Sequence, residues 1–81
     1  MRQTSFQVAR AARADAETGT RLFLIKNVDR LGLTYQIKLL TFRAANEKKK
    51  LVLKVPKLCR FAPSLKSFVA EHKKILSRES I

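Results

Sequence analysis

The chain has 81 residues, enough for one small domain but not for two separate hydrophobic cores. Eighteen Lys and Arg against six Asp and Glu give a formal net charge of +12, while 46% of the residues are apolar, as in an ordinary folded domain. A single cysteine excludes an internal disulfide, a single histidine excludes a His-rich metal site, and no apolar run approaches the roughly 18 residues of a membrane span. These features predict a small soluble domain of a reducing compartment with a polyanionic partner.

Residues 1–20 are predicted to form a basic amino-terminal arm that precedes a single domain at 21–81. The arm has no acidic residue before Asp15, and its cations are Arg2, Arg10 and Arg13. An Arg-containing, acid-poor amino end is typical of mitochondrial transit peptides, which favours the mitochondrial matrix. A flexible basic arm, in a bacterial or other organellar compartment, is the alternative that the composition leaves open.

The first half of the domain contains a predicted strand and a segment with two interpretations. RLFLIKNV, residues 21–28, is a dense apolar run typical of a buried strand. In the next segment, apolar residues recur at helical spacing at Leu33, Ile37, Leu40 and Ala44. This stripe predicts a helix over residues 34–48 with Thr34 as its cap. Polar and apolar residues also alternate over residues 35–39, which fits a short strand before a shorter helix, but the helical stripe is longer and is preferred.

The second half contains a strand and a second helix. LVLKV, residues 51–55, is predicted to be a strand that ends at Pro56. Pro63 and Ser64 suit the first turn of a helix, whose apolar stripe is Leu65, Phe68, Val69, His72 and Leu76. The tail, residues 77–81, frays or adds a short edge strand. The predicted fold class is therefore α/β, a small β-α-β-α unit with parallel strands and a possible short third strand. A split β-α-β unit with a short antiparallel sheet is the alternative.

A second apolar stripe on the first helix is predicted to be a protein interface. Tyr35, Leu39 and Phe42 lie away from the stripe that should face the sheet. Two strands offer a narrow sheet for two helices, so we expect this stripe to be covered by the second helix or by a neighbouring protein of a large assembly.

Half of the net charge is concentrated between residues 43 and 60. Seven basic residues and one acid, Glu47, give this segment a net charge of +6. Such a density attracts phosphates and releases counterions. The candidate RNA-binding residues are Arg43, Lys48, Lys49, Lys50, Lys54, Lys57 and Arg60. The aromatic residues fall mostly within apolar stripes, so contact with the RNA backbone is expected rather than reading of bases.

The sequence gives little support for an enzyme. It has no glycine-rich phosphate loop, no CxxC pair and no HExxH motif. Cys59 has no second thiol, and His72 lies in an apolar stripe typical of a packed core histidine. Asp29 and Lys57 follow predicted strands, where a turn-forming and a solvated role are expected. No catalytic residue, metal, cofactor, small-molecule substrate or membrane contact is predicted.

Parts of the chain resemble a ribosomal protein family. RLFLIKNVDRLG followed by YQIKLL, and the later APSLKSF, resemble the amino-terminal domain of bacterial-type ribosomal large-subunit protein nine. The resemblance implies an rRNA-binding role and a strand at residues 35–40. The chain departs from the family in its RNA loop, because TFRAANEKKK stands where the family has glycine and asparagine.

Three function classes follow from these observations. The leading hypothesis is a structural, rRNA-binding subunit of a ribonucleoprotein, such as a mitochondrial ribosome. A protein–protein accessory subunit of another large assembly is the second hypothesis, and a small enzyme is the third.

Overall fold

Residues 13–81 are described by a computed structural model and form six strands and two helices. The predicted α/β class is confirmed. In chain order the elements are β1 (Ala16–Glu17), β2 (Arg21–Ile25), β3 (Arg30–Leu31), α1 (Tyr35–Glu47), β4 (Lys50–Val55), β5 (Arg60–Phe61), α2 (Pro63–Glu71) and β6 (Leu76–Ser80).

The main sheet has the strand order β1-β2-β4-β6. Strands β2, β4 and β6 are parallel, as predicted for β2 and β4, and only the two-residue strand β1 is antiparallel to its neighbour. The three parallel strands are neighbours in the sheet in the order in which they occur in the chain, so two right-handed crossovers place both helices on the same face of the sheet. The sheet therefore has one face covered by helices and one that no helix of residues 13–81 covers.

The core lies between the helices and the covered face of the sheet. Side chains alternate along each strand, so every second residue points to the helices. These positions and the buried helix residues form one cluster, which includes Leu22, Leu24, Leu51, Leu53, Val55 and Leu76 of the strands and Ile37, Leu40, Ala44 and Leu65 of the helices. Val52 is also buried, but it belongs to the other face of β4 and lies outside this cluster.

Helix α1 confirms the helical interpretation of residues 34–48. The Thr34 hydroxyl accepts a hydrogen bond from the Ile37 N–H at 3.2 Å, so Thr34 is the N-cap that the sequence predicts. The helix ends at Glu47, and Lys48 follows in the left-handed conformation with a φ of 58°. The strand at residues 35–40, both as the alternative from alternation and as the implication of the ribosomal resemblance, is wrong.

Helix α2 is shorter than its apolar stripe predicts. It ends at Glu71, and the N–H groups of Ile75 and Leu76 both bond to the His72 carbonyl in a tight turn. Leu76 is therefore the first residue of β6 and lies beside Leu51 of β4, not on the helix. The possible third strand is confirmed, and it begins one residue before the predicted tail.

Short strands bring further segments into the fold. Strands β3 and β5 form a separate two-stranded parallel sheet, which the sequence does not predict. Strand β1 pairs with β2, and an Asp15 carboxylate oxygen accepts from the Ile25 N–H at 2.7 Å, so part of the predicted arm lies against the sheet. Arg2 and Arg10 of that arm lie outside the described residues, and Arg13 is the first residue inside them. No helix between residues 13 and 81 is long and apolar enough to cross a bilayer.

Candidate nucleic-acid interface

The fold separates the seven candidate RNA-binding residues into two groups. Four lie at the end of the sheet where the parallel strands begin, which we call the amino end: Arg43, Lys48, Lys49 and Lys50. Three lie at or near the end where the strands finish, the carboxyl end: Lys54, Lys57 and Arg60. The continuous basic segment of the sequence is therefore not one continuous patch.

At the amino end, two of the cations are held by carboxylates. Arg43 binds Glu17 through Nη2 at 2.7 Å and Glu47 through Nε at 2.9 Å. Lys49 Nζ lies 3.3 Å from a Glu47 oxygen and 3.8 Å from a Glu17 oxygen. We call these four residues the amino-end ion-pair cluster. Their mutual neutralisation leaves Arg43 and Lys49 less available to a phosphate than the sequence alone indicates.

The cluster also changes the protonation of its members. The hydrogen bond from Arg43 lowers the pKa of Glu47. Desolvation of the carboxylate raises this pKa by a smaller amount, and a hydrogen bond from Lys49 lowers it again. The same contact raises the pKa of Arg43, so that its guanidinium stays charged. The four side chains tie β1 to the end of α1 and to the turn before β4.

The remaining predicted cations differ in their surroundings. Lys48 and Lys50 are exposed, and Lys50 lies beside Arg21 of β2 in the parallel register. Lys54 points to the face that no described helix covers, where its Nζ lies 3.7 Å from Glu79 and 6.0 Å from the centroid of the Phe23 ring. Lys57 is exposed in the turn between β4 and β5.

Arg60 belongs to a groove at the carboxyl end of the sheet. The groove has a volume of about 760 Å³ and is lined by Arg30, Cys59, Arg60, Phe61, Ala62, Pro63, Lys66 and Arg78. We call it the carboxyl-end groove. Four of its lining residues are cations and none is an acid. Open α/β sheets bind their ligands at the carboxyl ends of the parallel strands, which is where this groove lies.

The short sheet β3-β5 positions two arginines in the groove. The Arg60 N–H bonds to the Asp29 carbonyl, and the Ala62 N–H bonds to the Leu31 carbonyl, each at 2.9 Å. This pairing places Arg30 directly beside Arg60. Leu31 is buried in the core, so the alternation of side chains leaves the two arginines on the outer side, where both are exposed.

Arg78 reaches the groove from β6. It lies two residues after Leu76 and so shares the helix-covered side of the sheet. Its Nη2 donates to the carbonyls of Pro56, Lys57 and Cys59 at 3.3, 3.2 and 2.7 Å. Its guanidinium carbon lies 4.6 Å from the centroid of the Phe61 ring. These contacts hold the turn between β4 and β5 and fix the guanidinium plane.

Three of the four groove cations were outside the predicted set. Arg30, Lys66 and Arg78 come from three different elements, and none lies in the dense segment 43–60. One signal could have indicated Arg78: if the tail is a strand, its alternation with the apolar Leu76 places it on the core side. The position of Arg30 depends on a two-residue pairing that the sequence does not reveal.

The predicted protein interface on α1 is exposed in part. Tyr35 is 66% exposed and Phe42 is 60% exposed, whereas Leu39 is partly buried and packs against the core. The exposed part of the predicted interface therefore consists of two aromatic rings seven residues apart on α1, while Leu39 belongs partly to the core.

The residues considered for catalysis are not brought together into a recognisable site. Cys59 is only 4% exposed and belongs to the core cluster. His72 is the C-cap of α2, where its Nδ1 lies 2.9 Å from the Phe68 carbonyl oxygen and its ring centroid lies 4.2 Å from that of Phe68. Asp29 uses its carbonyl to pair β3 with β5. Between residues 13 and 81, no group of three or more His, Cys, Asp or Glu could hold a metal ion.

Comparisons with known proteins add no family assignment. No protein-family model matches the chain, and no similar curated protein or solved structure was found. The function must therefore be inferred from the geometry and the charge of the molecule itself.

Proposed function

We propose that the protein is a structural RNA-binding subunit of a ribonucleoprotein and that it contacts the phosphate backbone through the carboxyl-end groove. The observation that carries this proposal is that Arg30, Arg60, Lys66 and Arg78 line one groove without an acidic residue. Contacts of Lys and Arg with phosphates supply affinity that does not depend on sequence, and the groove brings together four such cations from four elements.

The distribution of the acidic residues supports the same surface. The sequence has six acids. Glu17 and Glu47 are held in the amino-end ion-pair cluster, Glu79 faces Lys54, and Asp15 accepts from the backbone of β2. Neither Asp29 nor Glu71 lines the groove, and residues 1–12 contain no acid that could reach it. The four groove cations thus have no carboxylate counterion among the residues that line the groove.

A mitochondrial ribosome is the ribonucleoprotein that we propose, with rRNA as the ligand and the mitochondrial matrix as the compartment. The support is compositional: a small chain of net charge +12 whose first 14 residues contain three arginines and no acid. In this role the protein neutralises rRNA phosphates and has no catalytic function.

Salt dependence of RNA binding tests the proposal directly. Each phosphate that the protein neutralises contributes about −0.7 to the slope of log K against log salt for single strands, so binding of at least one phosphate in the groove predicts a slope of about −0.7 or steeper. Fluorescence anisotropy with a mixed-sequence RNA oligonucleotide, measured at several salt concentrations, gives this slope. A slope near zero, or no binding at low salt, would reject an RNA-binding function.

Sedimentation tests the assembly. A tagged copy of the full chain should migrate with a ribosomal subunit in a density gradient and should leave that fraction after ribonuclease treatment. Migration with a complex that survives ribonuclease would instead support the second candidate, a protein–protein accessory subunit.

The exposed rings of α1 are the observation that favours this second candidate. Tyr35 and Phe42 are exposed aromatic side chains, a residue type enriched at protein interfaces. Changing both to Ala should release the protein from a protein partner while leaving its affinity for the RNA oligonucleotide unchanged.

A further inference from the structure

We infer that the carboxyl-end groove is a discrete seat for one phosphate group, bound by the guanidinium groups of Arg30, Arg60 and Arg78 and by the ammonium group of Lys66. This inference deepens the proposed function and rests on it for the source of the phosphate, the RNA backbone. It goes further because a diffuse basic surface would bind RNA without holding any phosphate at a fixed place.

The first step is the placement of Arg30 beside Arg60. They are register partners in a parallel pair, so their backbones are separated by the strand spacing of about 4.8 Å. Like charges directly across a strand pair repel and destabilise it. A single anion between the two side chains converts that repulsion into two attractions. Neither side chain has a salt bridge or a hydrogen bond within residues 13–81.

The second step is the orientation of Arg78. All three of its hydrogen bonds use Nη2, while a guanidinium carries five N–H donors. The three N–H groups on Nη1 and Nε therefore make no hydrogen bond to residues 13–81. Because the carbonyls of the turn and the Phe61 ring already fix the guanidinium plane, little side-chain entropy is lost when these donors bind a ligand.

The third step is the position of Lys66 in the first turn of α2. The helix starts at Pro63, its N-cap is Ala62 without a side-chain hydrogen bond, and its first turn contains no acid. Lys66 and the first turn of the helix thus both add positive potential to the groove, and no acidic side chain of that turn offsets it. The contribution of the helix is small compared with that of the three guanidinium groups.

The donor set favours phosphate over a carboxylate. Planar guanidinium forks match the oxygens of both groups. A backbone phosphate has two charged oxygens, as a carboxylate has, but its four oxygens are arranged tetrahedrally. Donors that come from four elements can therefore approach it from more directions than they can approach a planar carboxylate. An acidic side chain from a protein partner is the competing ligand, and acetate serves as its probe below.

The test is a titration of the full chain with inorganic phosphate, followed by NMR of the backbone amides and the arginine Nε groups. Ionic strength is held constant with sodium chloride. We expect saturable shifts confined to residues 60–66 and to the Nε of Arg30, Arg60 and Arg78. Shifts that do not saturate, or that spread evenly over exposed lysines such as Lys48 and Lys73, would show a diffuse surface and overturn the inference.

Two variants with equal net charge provide the control. Arg30→Gln with Arg60→Gln removes two groove cations, whereas Lys73→Gln with Lys74→Gln removes two exposed cations outside the groove lining. We expect the first pair to weaken phosphate binding by about tenfold or more, because two charge-assisted contacts with the anion are lost. The second pair should bind as the unchanged protein does. An equal loss of phosphate affinity in both variants would overturn the inference of a discrete phosphate site.

A matched titration with sodium acetate separates the two ligand chemistries. Equal saturable shifts with acetate at the same concentration would identify a carboxylate site and overturn the phosphate assignment. The titration of the unchanged protein localises the site without any variant, so it remains decisive if the arginine variant does not fold.

These experiments distinguish rejection of the discrete phosphate site from rejection of the proposed RNA-binding function. If the arginine variant binds the RNA oligonucleotide as tightly as the unchanged protein and phosphate causes no local shifts, the seat is wrong while RNA binding stands. If phosphate saturates the groove but the oligonucleotide does not bind, RNA binding is wrong and the ligand is a free phosphate compound.

Discussion

The two ends of the central sheet use positive charge in opposite ways. At the amino end, Arg43 and Lys49 share two glutamates and serve to tie β1, α1 and the next turn together. At the carboxyl end, four cations line one groove without an acid. The comparison shows that the density of cations along the sequence does not locate the charge that a ligand can use; the positions of the acids in the fold decide this.

The largest expected effect is on RNA affinity. We expect Arg30→Gln with Arg60→Gln to weaken binding of the RNA oligonucleotide by about tenfold or more, because two charge-assisted contacts are lost. Lys73→Gln with Lys74→Gln, at the same net charge, should change it by less than about threefold, as expected for exposed charges far from a site. Fluorescence anisotropy at one fixed salt concentration measures both.

This pair of variants tests whether the two ends differ in RNA binding. If general attraction to a charge of +12 controls binding, both variants will lose affinity equally. Lys73 and Lys74 lie just before β6, at the amino end of the sheet. If the lysine variant alone loses affinity, the amino end is the RNA surface and the carboxyl-end groove is not.

A second prediction concerns the structural role of Arg78. Changing Arg78 to Ala removes the donor for three carbonyls and the stacking on Phe61, which should destabilise the fold by about 1–3 kcal/mol. Urea unfolding followed by circular dichroism measures this loss. Arg43→Ala at the amino end is the comparison: equal or larger destabilisation there would contradict the view that Arg78 fixes a well-ordered turn.

The elements of the fold differ in how far the sequence predicted them. Helix α1 was predictable because its apolar spacing and the Thr34 cap indicate the same structure. The end of α2 was not, because Leu76 continues the helical spacing by coincidence while its actual contacts are with β4, 25 residues earlier in the register pair Leu51–Leu76. Local periodicity cannot distinguish these two outcomes when a tight turn at His72 intervenes.

The candidate site was predictable only in part for a related reason. The predicted set includes Arg60 but neither Arg30, Lys66 nor Arg78, since the groove is assembled from β3, β5, α2 and β6. It also includes Arg43 and Lys49, which carboxylates neutralise in the fold. The sequence does not reveal this, because Glu17 is 26 residues from Arg43 in the chain and its contact with Arg43 depends on the pairing of β1 with β2. Charge counted along a segment takes no account of such distant partners.

A third prediction uses the left-handed residue at the end of α1. Lys48 has a φ of 58°, a conformation that costs most side chains about 1 kcal/mol and that glycine adopts freely. Lys48→Gly should therefore stabilise the fold by about 0.5–1 kcal/mol, even though glycine increases the entropy of the unfolded chain. Thermal or urea unfolding measures the change. Lys50→Gly, in a strand, is the control and should destabilise the fold.

The same variant also tests whether the amino end contacts RNA. If the amino end makes no RNA contact, Lys48→Gly should be more stable and should bind the oligonucleotide about as well as the unchanged protein. A more stable variant that loses affinity as strongly as the groove variant would place an RNA contact at the amino end.

The smallest expected effect is a dependence of stability on pH at the amino end. The hydrogen bond from Arg43 lowers the pKa of Glu47 below its ordinary value of 4.5, so the folded state favours the ionised carboxylate. A carboxylate with a depressed pKa contributes stability above its unfolded pKa and loses that contribution as the pH falls through its folded pKa. The contribution should therefore be present at pH 7 and be lost progressively as the pH falls from about 4.5 through the lower pKa of Glu47 in the folded state.

Arg43→Gln separates this contribution from the general effect of acid on a cationic protein. The variant should lose up to about 1 kcal/mol at pH 7, as expected for exposed ion pairs, and less at an acidic pH that is low enough to protonate Glu47 in both proteins. Urea unfolding at the two pH values measures the difference, with Lys73→Gln as the charge-matched control. If Arg43→Gln costs the same stability at both pH values, the guanidinium acts through packing, and the amino-end cations would no longer count as neutralised by their carboxylates.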